Sequence, residues 1–332
     1  MKIAVVHNIN QSGVIYRFGI LNKEMYFRNE IDSFIDTLQN NGHMVQEFDG
    51  DKFLFKNLES FLPVIRNGYT PEGLVFNLAY GIQGNSRYTH IPAMLELAGI
   101  PYTGSGPLTH SIALDKEMTK RILLQAGIPT PAFIVIQQDA KLDGLQLKGL
   151  KYPLIIKPKS EAGSFGISVV ESENELIQNI ASTLKEYNQD LVVEEYLDGR
   201  ELNVGLLGNG NSVEAFKPVE IDFNETGDKF QSATGKKDGS YGHICPANIP
   251  ENLTKKLQEI AKQTFLLLKC CDYARVDFRL DAEMNPYVLE INSMAAIHEK
   301  GSYFHGAKKA GFDYRGMINR MVEVAVIRYK KP

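Results

Sequence analysis

"YARVDFRLDAEMNPYVLEIN", residues Tyr273 to Asn292, decides how the rest of the chain is read. Two runs of alternating apolar and polar residues flank a short polar segment, which is the pattern of a β-hairpin. A four-residue loop at Ala282–Asn285 puts Asp277 opposite Glu290 and Arg275 opposite Asn292. Side chains alternate at period two, so all four project from one face. Facing carboxylates repel across a ladder and destabilise it. Two remedies are open. A divalent cation suits an Asp, Glu and Asn oxygen set, and Mg2+ prefers one or two carboxylates together with substrate phosphates. Alternatively, Arg275 neutralises the pair in a structural ion-pair cluster.

The bulk properties narrow the setting. The 332 residues suffice for two or three domains, and 43% apolar content supports sizeable cores. A net charge of −4 gives no electrostatic case for nucleic acid or an anionic membrane as the main partner. Cys245, Cys270 and Cys271 match no zinc spacing and, being three, make no disulfide framework. They read as buried thiols of a reducing compartment. The opening "MKIAVVHNIN" is too short an apolar run for a signal peptide, and no run approaches the ~20 residues of a membrane span. A soluble, cytoplasmic protein is expected.

Upstream of the hairpin, β and α patterns alternate. Lys2–His7 reads as a buried strand, Ile31, Phe34, Ile35 and Leu38 as one face of a helix ended by Gly42, and "HMVQEF" as a second strand. This βαβ opening predicts a parallel sheet in the first hundred residues. No G-x-G-x-x-G follows the first strand, which disfavours a nicotinamide enzyme. "IPAMLELAGIPYTGSG" predicts a helix ended by Gly99, a short strand, and a Gly/Ser-rich link at Thr103–Gly106. A helix from Asp115 to Ala126 follows, stopped by Gly127, Pro129 and Pro131. "YPLIIKP", "GISVVES", "DLVVEEYL" and "ELNVGLLG" read as strands, polar Asn224–Gly242 as a functional loop, and "FDYRGMINRMVEVAVIRY" as a closing helix.

Few residue groups carry chemistry. "IIKPKSEAGSFG" sets Lys157 and Lys159 at the end of a buried strand before a small-residue loop holding Gly163 and Ser164. Backbone N–H groups in such a loop can cradle phosphate, though the stretch is no Walker A motif and an ordinary glycine hairpin fits it too. Lys116 reads equally as a solvated helix residue or a phosphate contact. Glu194, Glu195 and Glu201 in "VVEEYLDGREL" can accept from ribose or an adenine amino group, or simply face water. The scattered histidines match no zinc-hydrolase spacing, and no G-x-S-x-G elbow occurs.

The ordered set "LELAGIPYTGSG", "ALDKEMTKRILLQAGIPTP", "PLIIKP…GSFGIS", "VVEEYLDGREL" and "YARVDF…LEIN", spanning about Pro92 to Ala325, resembles the ATP-grasp carboxylate–amine ligases, nearest to the D-alanine–D-alanine ligases. The resemblance implies an α/β fold, α+β in its catalytic half: an ATP-grasp fold with an N-terminal parallel-sheet, Rossmann-like domain at 1–105, a central subdomain at 106–192 and a C-terminal subdomain at 193–332. It implies that Lys116, Lys157 and Lys159, with Gly163 and Ser164, meet ATP phosphates. Glu194, Glu195 and Leu197 would meet the adenine, and Glu201 the ribose. Asp277, Glu290 and Asn292 would hold two Mg2+ ions, and Arg275 would face the reacting acyl group. Lys236 or Lys237 would supply the lid's phosphate-binding lysine.

The resemblance also implies small-molecule carboxylate and amine substrates, a homodimer, and no nucleic acid or membrane partner. The reaction would run through an acyl phosphate, releasing ADP and phosphate. The amino-acid recognition set departs from the family. The acid expected after the first strand is missing from "NINQSGVIYRF", "GNSRYTH" replaces Gly-Glu-Asp-Gly, and "SMAAIHEKGSY" follows the metal Asn in place of a Pro-Gly turn. His298 and Ser302 in that segment are substrate candidates. The expectation is an ATP-dependent ligase for an amino-acid-like carboxylate. The alternatives are a true D-alanine–D-alanine ligase of wall synthesis and a nucleotide-binding sensor without turnover.

Overall fold

A computed structural model describes every residue except 12, 19–20, 63–71, 224–225, 229, 233, 236–238 and 331–332. Three sheets organise the chain. The first has the order β2 (Met44–Asp49), β1 (Lys2–His7), β3 (Gly73–Asn77), with parallel pairing throughout, as the βαβ pattern requires. Helix α1 (Arg28–Asn40) crosses over between β1 and β2 and buries Ile31, Phe34 and Leu38 against the sheet. The short α2 (Leu54–Leu58) and α3 (His90–Ala98) complete this region, with Gly99 in the left-handed conformation that ends α3. The expected strand near Tyr102 is only an isolated bridge to Val75.

The Thr103–Gly106 link leads into α4 (Pro107–Leu114), which the sequence reading passed over, and then α5 (Lys116–Gln125). Asp115 separates them: its extended backbone ends α4, and its carboxylate accepts from the Met118 N–H at 3.0 Å to cap α5. The second sheet is antiparallel, in the order β4 (Phe133–Ile136), β7 (Leu191–Glu195), β5 (Leu154–Pro158), β6 (Ser168–Val170), with α6 (Glu173–Tyr187) packed on it. Strand β7 runs through residue 192, where the sequence suggested a division. The chain leaves this sheet only after Glu195.

The third sheet runs β11 (Gly242–Ile244), β10 (Val219–Asp222), β8 (Glu201–Leu207), β12 (Tyr273–Leu280), β13 (Pro286–Asn292), with β9 (Glu214–Ala215) paired to β8. Helix α7 (Glu251–Leu267) packs on β8 and β12. The chain closes with α8 (Ser302–Lys309) and α9 (Tyr314–Lys330).

Helix α9 does not end in the third sheet's core. Met317, Ile318, Met321 and Val322 share one core with Ile3, Phe34, Phe76 and, from beyond the hairpin, Met294 and Ile297. The first sheet is thereby pressed against the segment that follows β13. Asp272, fully buried, joins the pieces. It accepts from the Gly104 N–H at 2.8 Å, from Asn209 at 2.9 Å and from Arg328 on α9 at 2.9 Å. All three cysteines are free thiols, but only Cys270 is buried; Cys245 and Cys271 are half-buried.

Candidate functional site

The hairpin pairs Arg275 with Asn292 and Asp277 with Glu290, as expected, but by a different route. Leu280 pairs with Pro286, so the connection is five residues, Asp281–Asn285, rather than four. The register shifts after Asp277, leaving Leu289 as a bulge. The longer turn and the bulge cancel at Asp277. Asp281 shapes the turn by accepting from the N–H groups of Glu283 at 3.0 Å and Asn285 at 2.7 Å.

Each facing carboxylate has its own cation. The Arg275 guanidinium grips Asp277 with Nε to Oδ1 at 2.6 Å and Nη2 to Oδ2 at 2.7 Å. Asn292 donates to the same carboxylate at 2.9 Å, and so does Asn203 on β8 at 2.8 Å. Glu290 lies 3.9 Å from Lys116 Nζ. The remedy in which Arg275 neutralises the cluster is therefore built in for Asp277. Asn203 was missed from sequence, although it sits on alternating "ELNVGLL" directly beside Asp277 in the sheet.

Beside the hairpin is a cleft of about 590 Å³, open mouth included, between the second and third sheets. Lys157, Ser164, Glu194, Glu195, Leu197, Glu201, Asp277 and Glu290 all line it, so residues 133 positions apart converge. At its floor Glu194, fully buried, pairs with Lys157 through Oε1 and with Lys120 through Oε2 at 2.5 Å. Burial alone would push the Glu194 carboxyl up, but Lys120 and Lys157 together hold it below the usual range. Burial pushes the Lys120 ammonium down to about 8. Lys120 was not singled out from sequence, though it follows Lys116 by one helical turn. Burial first, then Lys157 and Arg87, lowers Lys116, with Glu290 opposing. The nearest polar contact of Lys116 Nζ is the Glu161 carbonyl.

Gly163 and Ser164 are both left-handed, at φ +65° and +63°, in the loop joining antiparallel β5 and β6. Arg87 braces the base of this loop, donating to the Ser160 carbonyl at 2.8 Å and pairing with Glu161 at 3.1 Å. Glu201 is paired at 3.3 Å with Arg279, another cleft residue the sequence reading did not name.

Other expected residues stand apart. Lys159 is not brought to the cleft. It is held by Asp190 at 2.7 Å, with Glu117 at 3.7 Å, because β5 ends at Pro158 and the chain turns away. Lys236 and Lys237 lie outside the described residues. Phe230 and Gln231, from the expected lid segment, do reach the cleft wall. His298 is half-buried in the segment after β13, and burial lowers its pKa. Ser302 is buried in the first turn of α8. Among the described residues no helix is long and apolar enough to cross a membrane.

The arrangement can hold a nucleotide: cations at one side, a paired acid at the floor, an oxygen-ligand set at the other end. Comparison with known proteins agrees. The family model described as D-ala D-ala ligase C-terminus matches residues 122–323. The D-alanine–D-alanine ligase of Moorella thermoacetica is 32% identical and aligns with 86% of this chain and 89% of its own length. An uncharacterized protein of Sinorhizobium fredii, y4sG, is 40% identical over 99% of this chain and 98% of its own. Among solved structures, D-alanine–D-alanine ligase from Bacillus anthracis complexed with ATP matches with a TM-score of 0.78 over 100% of this chain and 99% of that one. At 21% identity, that likeness concerns the fold.

Proposed function

Because the chain belongs to the D-alanine–D-alanine ligase family of ATP-grasp enzymes, and so is an ATP-dependent ligase forming a carbon–nitrogen bond, we propose that it joins an amino-acid-like carboxylate other than free D-alanine to an amine. The observation that carries the reading is that Asp277 and Glu290 line the cleft that holds Lys157 and Glu194, with Arg275 and Asn292 bonded to Asp277 beside it. A nucleotide-binding sensor without turnover is free to lose such metal ligands, and here the set is complete.

Bound ATP supplies the phosphoryl group that turns the carboxylate into an acyl phosphate, and Mg2+ offsets the phosphate charge. Asp277, Glu290 and Asn292 are an all-oxygen donor set on one face and fit Mg2+; two ions are proposed. Two anions must approach for the first step, so positive charge has to be positioned in advance. Lys116 and Lys157 supply it, with Lys236 or Lys237 from the lid. Glu194, oriented by Lys157 and Lys120, accepts from the adenine amino group beside Glu195 and Leu197, and Glu201 accepts from the ribose. Ser164 and Gly163 face the terminal phosphate. Asp277 would be a ligand of the bound Mg2+, and Arg275, now paired with it, is the cation placed to meet the acyl oxygen. The segment carrying Phe230 and Gln231 excludes water, which would hydrolyse the acyl phosphate.

In this reading the chain divides at about residue 105 and again between β7 and β8, and works in the cytoplasm as a homodimer. His298 and Ser302 contact the amino-acid end of a substrate. A true D-alanine–D-alanine ligase is the competing reading, favoured by the relatives' names. An ADP-release screen of the purified protein with ATP, Mg2+ and pairs of amino acids and other carboxylates decides between them. No ADP with any pair would overturn both.

A further inference from the structure

Three histidines, His243 distant in sequence from the other two, gather beside Arg275. His243 on β11 and His305 on α8 stack with ring centroids 4.8 Å apart and planes 31° from parallel. His298 is close enough to both Arg275 and His305 to feel their charge. The other charges facing the group are Glu30 on α1 and Lys300. Gly301 makes room for the cluster: a Cβ there would stand 3.2 Å from His298 Cε1 and 3.2 Å from its carbonyl oxygen.

One ring is fixed in tautomer. His305 Nδ1 lies 3.0 Å from the Gly301 carbonyl, which can only accept, so Nδ1 carries the hydrogen and Nε2 presents a lone pair. Burial favours the neutral form of His243 and His298. Burial pushes His243 down to about 4, helped by His305, Arg275 and His298. Neutral imidazoles accept hydrogen bonds and protons, and they are poor hosts for a carboxylate. A carboxylate finds its cation in Arg275, next door. An ammonium group finds here the lone pair on His305 and the negative charge of Glu30. Among the described residues no group of three or more His, Cys, Asp or Glu is disposed to hold a metal ion, which leaves the imidazoles free for proton chemistry.

We propose that His243, His298 and His305 form the amine half-site of this ligase, and that His305 Nε2 takes the proton that turns the substrate's ammonium group into a nucleophile. This rests on the ligase reading above. An N–H bond of the ammonium breaks, its electron pair stays on nitrogen, and the proton moves to Nε2. The free amine then forms the C–N bond at the acyl phosphate carbonyl. The C–O bond to phosphorus breaks, and phosphate leaves with that pair and takes the second amine proton. The imidazolium returns its proton to water. Stacked His243 positions the ring and shares the transient charge, and His298 closes the side facing Glu30.

The test compares two nucleophiles. The carboxylates are the protein-building L-amino acids and D-alanine. The nucleophile is either a second amino acid or hydroxylamine, which is neutral at pH 7 and needs no base. In His305→Asn the amide nitrogen can still donate to the Gly301 carbonyl, but the lone pair at Nε2 is gone. At pH 7 the ratio of amide formation to hydroxamate formation should fall at least ~100-fold, the usual worth of a positioned base. It should recover as pH rises toward the amine's own pKa. His305→Gln should behave alike. An unchanged ratio overturns the assignment, and so does an equal loss of both products, which would mark a structural role. Nitrogen-15 NMR of histidine-labelled protein gives a readout without turnover: a His305 Nε2–H tautomer overturns the proposal. If no carboxylate yields ADP with either nucleophile, the ligase reading itself fails and this inference falls with it, whatever the tautomer.

Discussion

At Asp277 a guanidinium and two side-chain amides converge on one buried carboxylate, whereas Glu290 opposite, 3.9 Å from Lys116, keeps a third of its side chain exposed. The two acids are thus unequal without ligands. Removing the Asp277 charge would strand Arg275, whereas Glu290 is nearer to solvent and its neighbour Lys116 also donates to the Glu161 carbonyl. Glu290→Gln should therefore fold and melt close to the parent while losing Mg2+-dependent ADP release by at least ~100-fold, as for loss of a preorganised charge in an active site. Normal turnover would defeat the metal assignment, and an unfolded variant would favour a purely structural cluster. Lys120 offers a second check. With its pKa near 8, it loses its proton in the folded protein as pH rises past that value, and Glu194 then keeps only Lys157. The KM for ATP should rise above pH ~8 in the parent. In Lys120→Gln it should start higher and stay flat across the same range. A parent profile without that rise would show that Lys120 does not act through Glu194.

The elements show where sequence reasoning works and where its successes are partly luck. Alternation within the hairpin strands made the Asp277–Glu290 pairing legible, yet the turn length was wrong by one and a bulge at Leu289 restored the register. Bulges leave no pattern in alternation when a Leu simply fills the extra place. The parallel first sheet and α1 were legible because burial on both faces and 3.6-residue spacing are strong signals. Helix α6 carries the same spacing in buried Leu176, Ile180, Thr183 and Tyr187, with a Ser172 cap, so its omission reflects no physical obstacle. Lys159 follows the end of β5 at Pro158 and pairs with Asp190, a partner that strand alternation does not announce. For the lid segment, Phe230 and Gln231 at the cleft wall give a direct test. Chymotryptic cleavage after Phe230 should slow several-fold when a non-hydrolysable ATP analogue and Mg2+ fill the cleft, as ligands order switch segments elsewhere. Equal rates with and without them would separate this segment from the nucleotide.

On the scale of the whole molecule, the first sheet, α9 and the segment after β13 share one core. No sequence pattern announces that meeting, since it depends on how three sheets dock. His110 on α4 sits at this junction, 2.8 Å from Ser293 Oγ, and burial pushes its pKa down to about 3. The unfolded chain takes up that proton at the ordinary ~6.5, so stability should be lost as pH falls from there toward 3, by up to ~1.4 kcal/mol per unit. Denaturant unfolding at pH 7 and pH 5 should show a smaller difference in His110→Gln than in the parent; equal differences would exonerate His110.

The proposed nucleotide half rests on compact motifs, whereas the proposed amine half does not, because His243 meets His298 and His305 only in three dimensions. A site that lacks the acid expected to hold a free D-alanine's ammonium leaves that charge uncompensated, at a cost of several kcal/mol. About 2.7 kcal/mol already amounts to a factor of ~100 in rate. ADP release with D-alanine as sole amino acid should accordingly be at least ~100-fold slower than with the preferred pair from a panel of carboxylates and amines. D-alanyl-D-alanine formed faster than any other product would return the protein to wall synthesis.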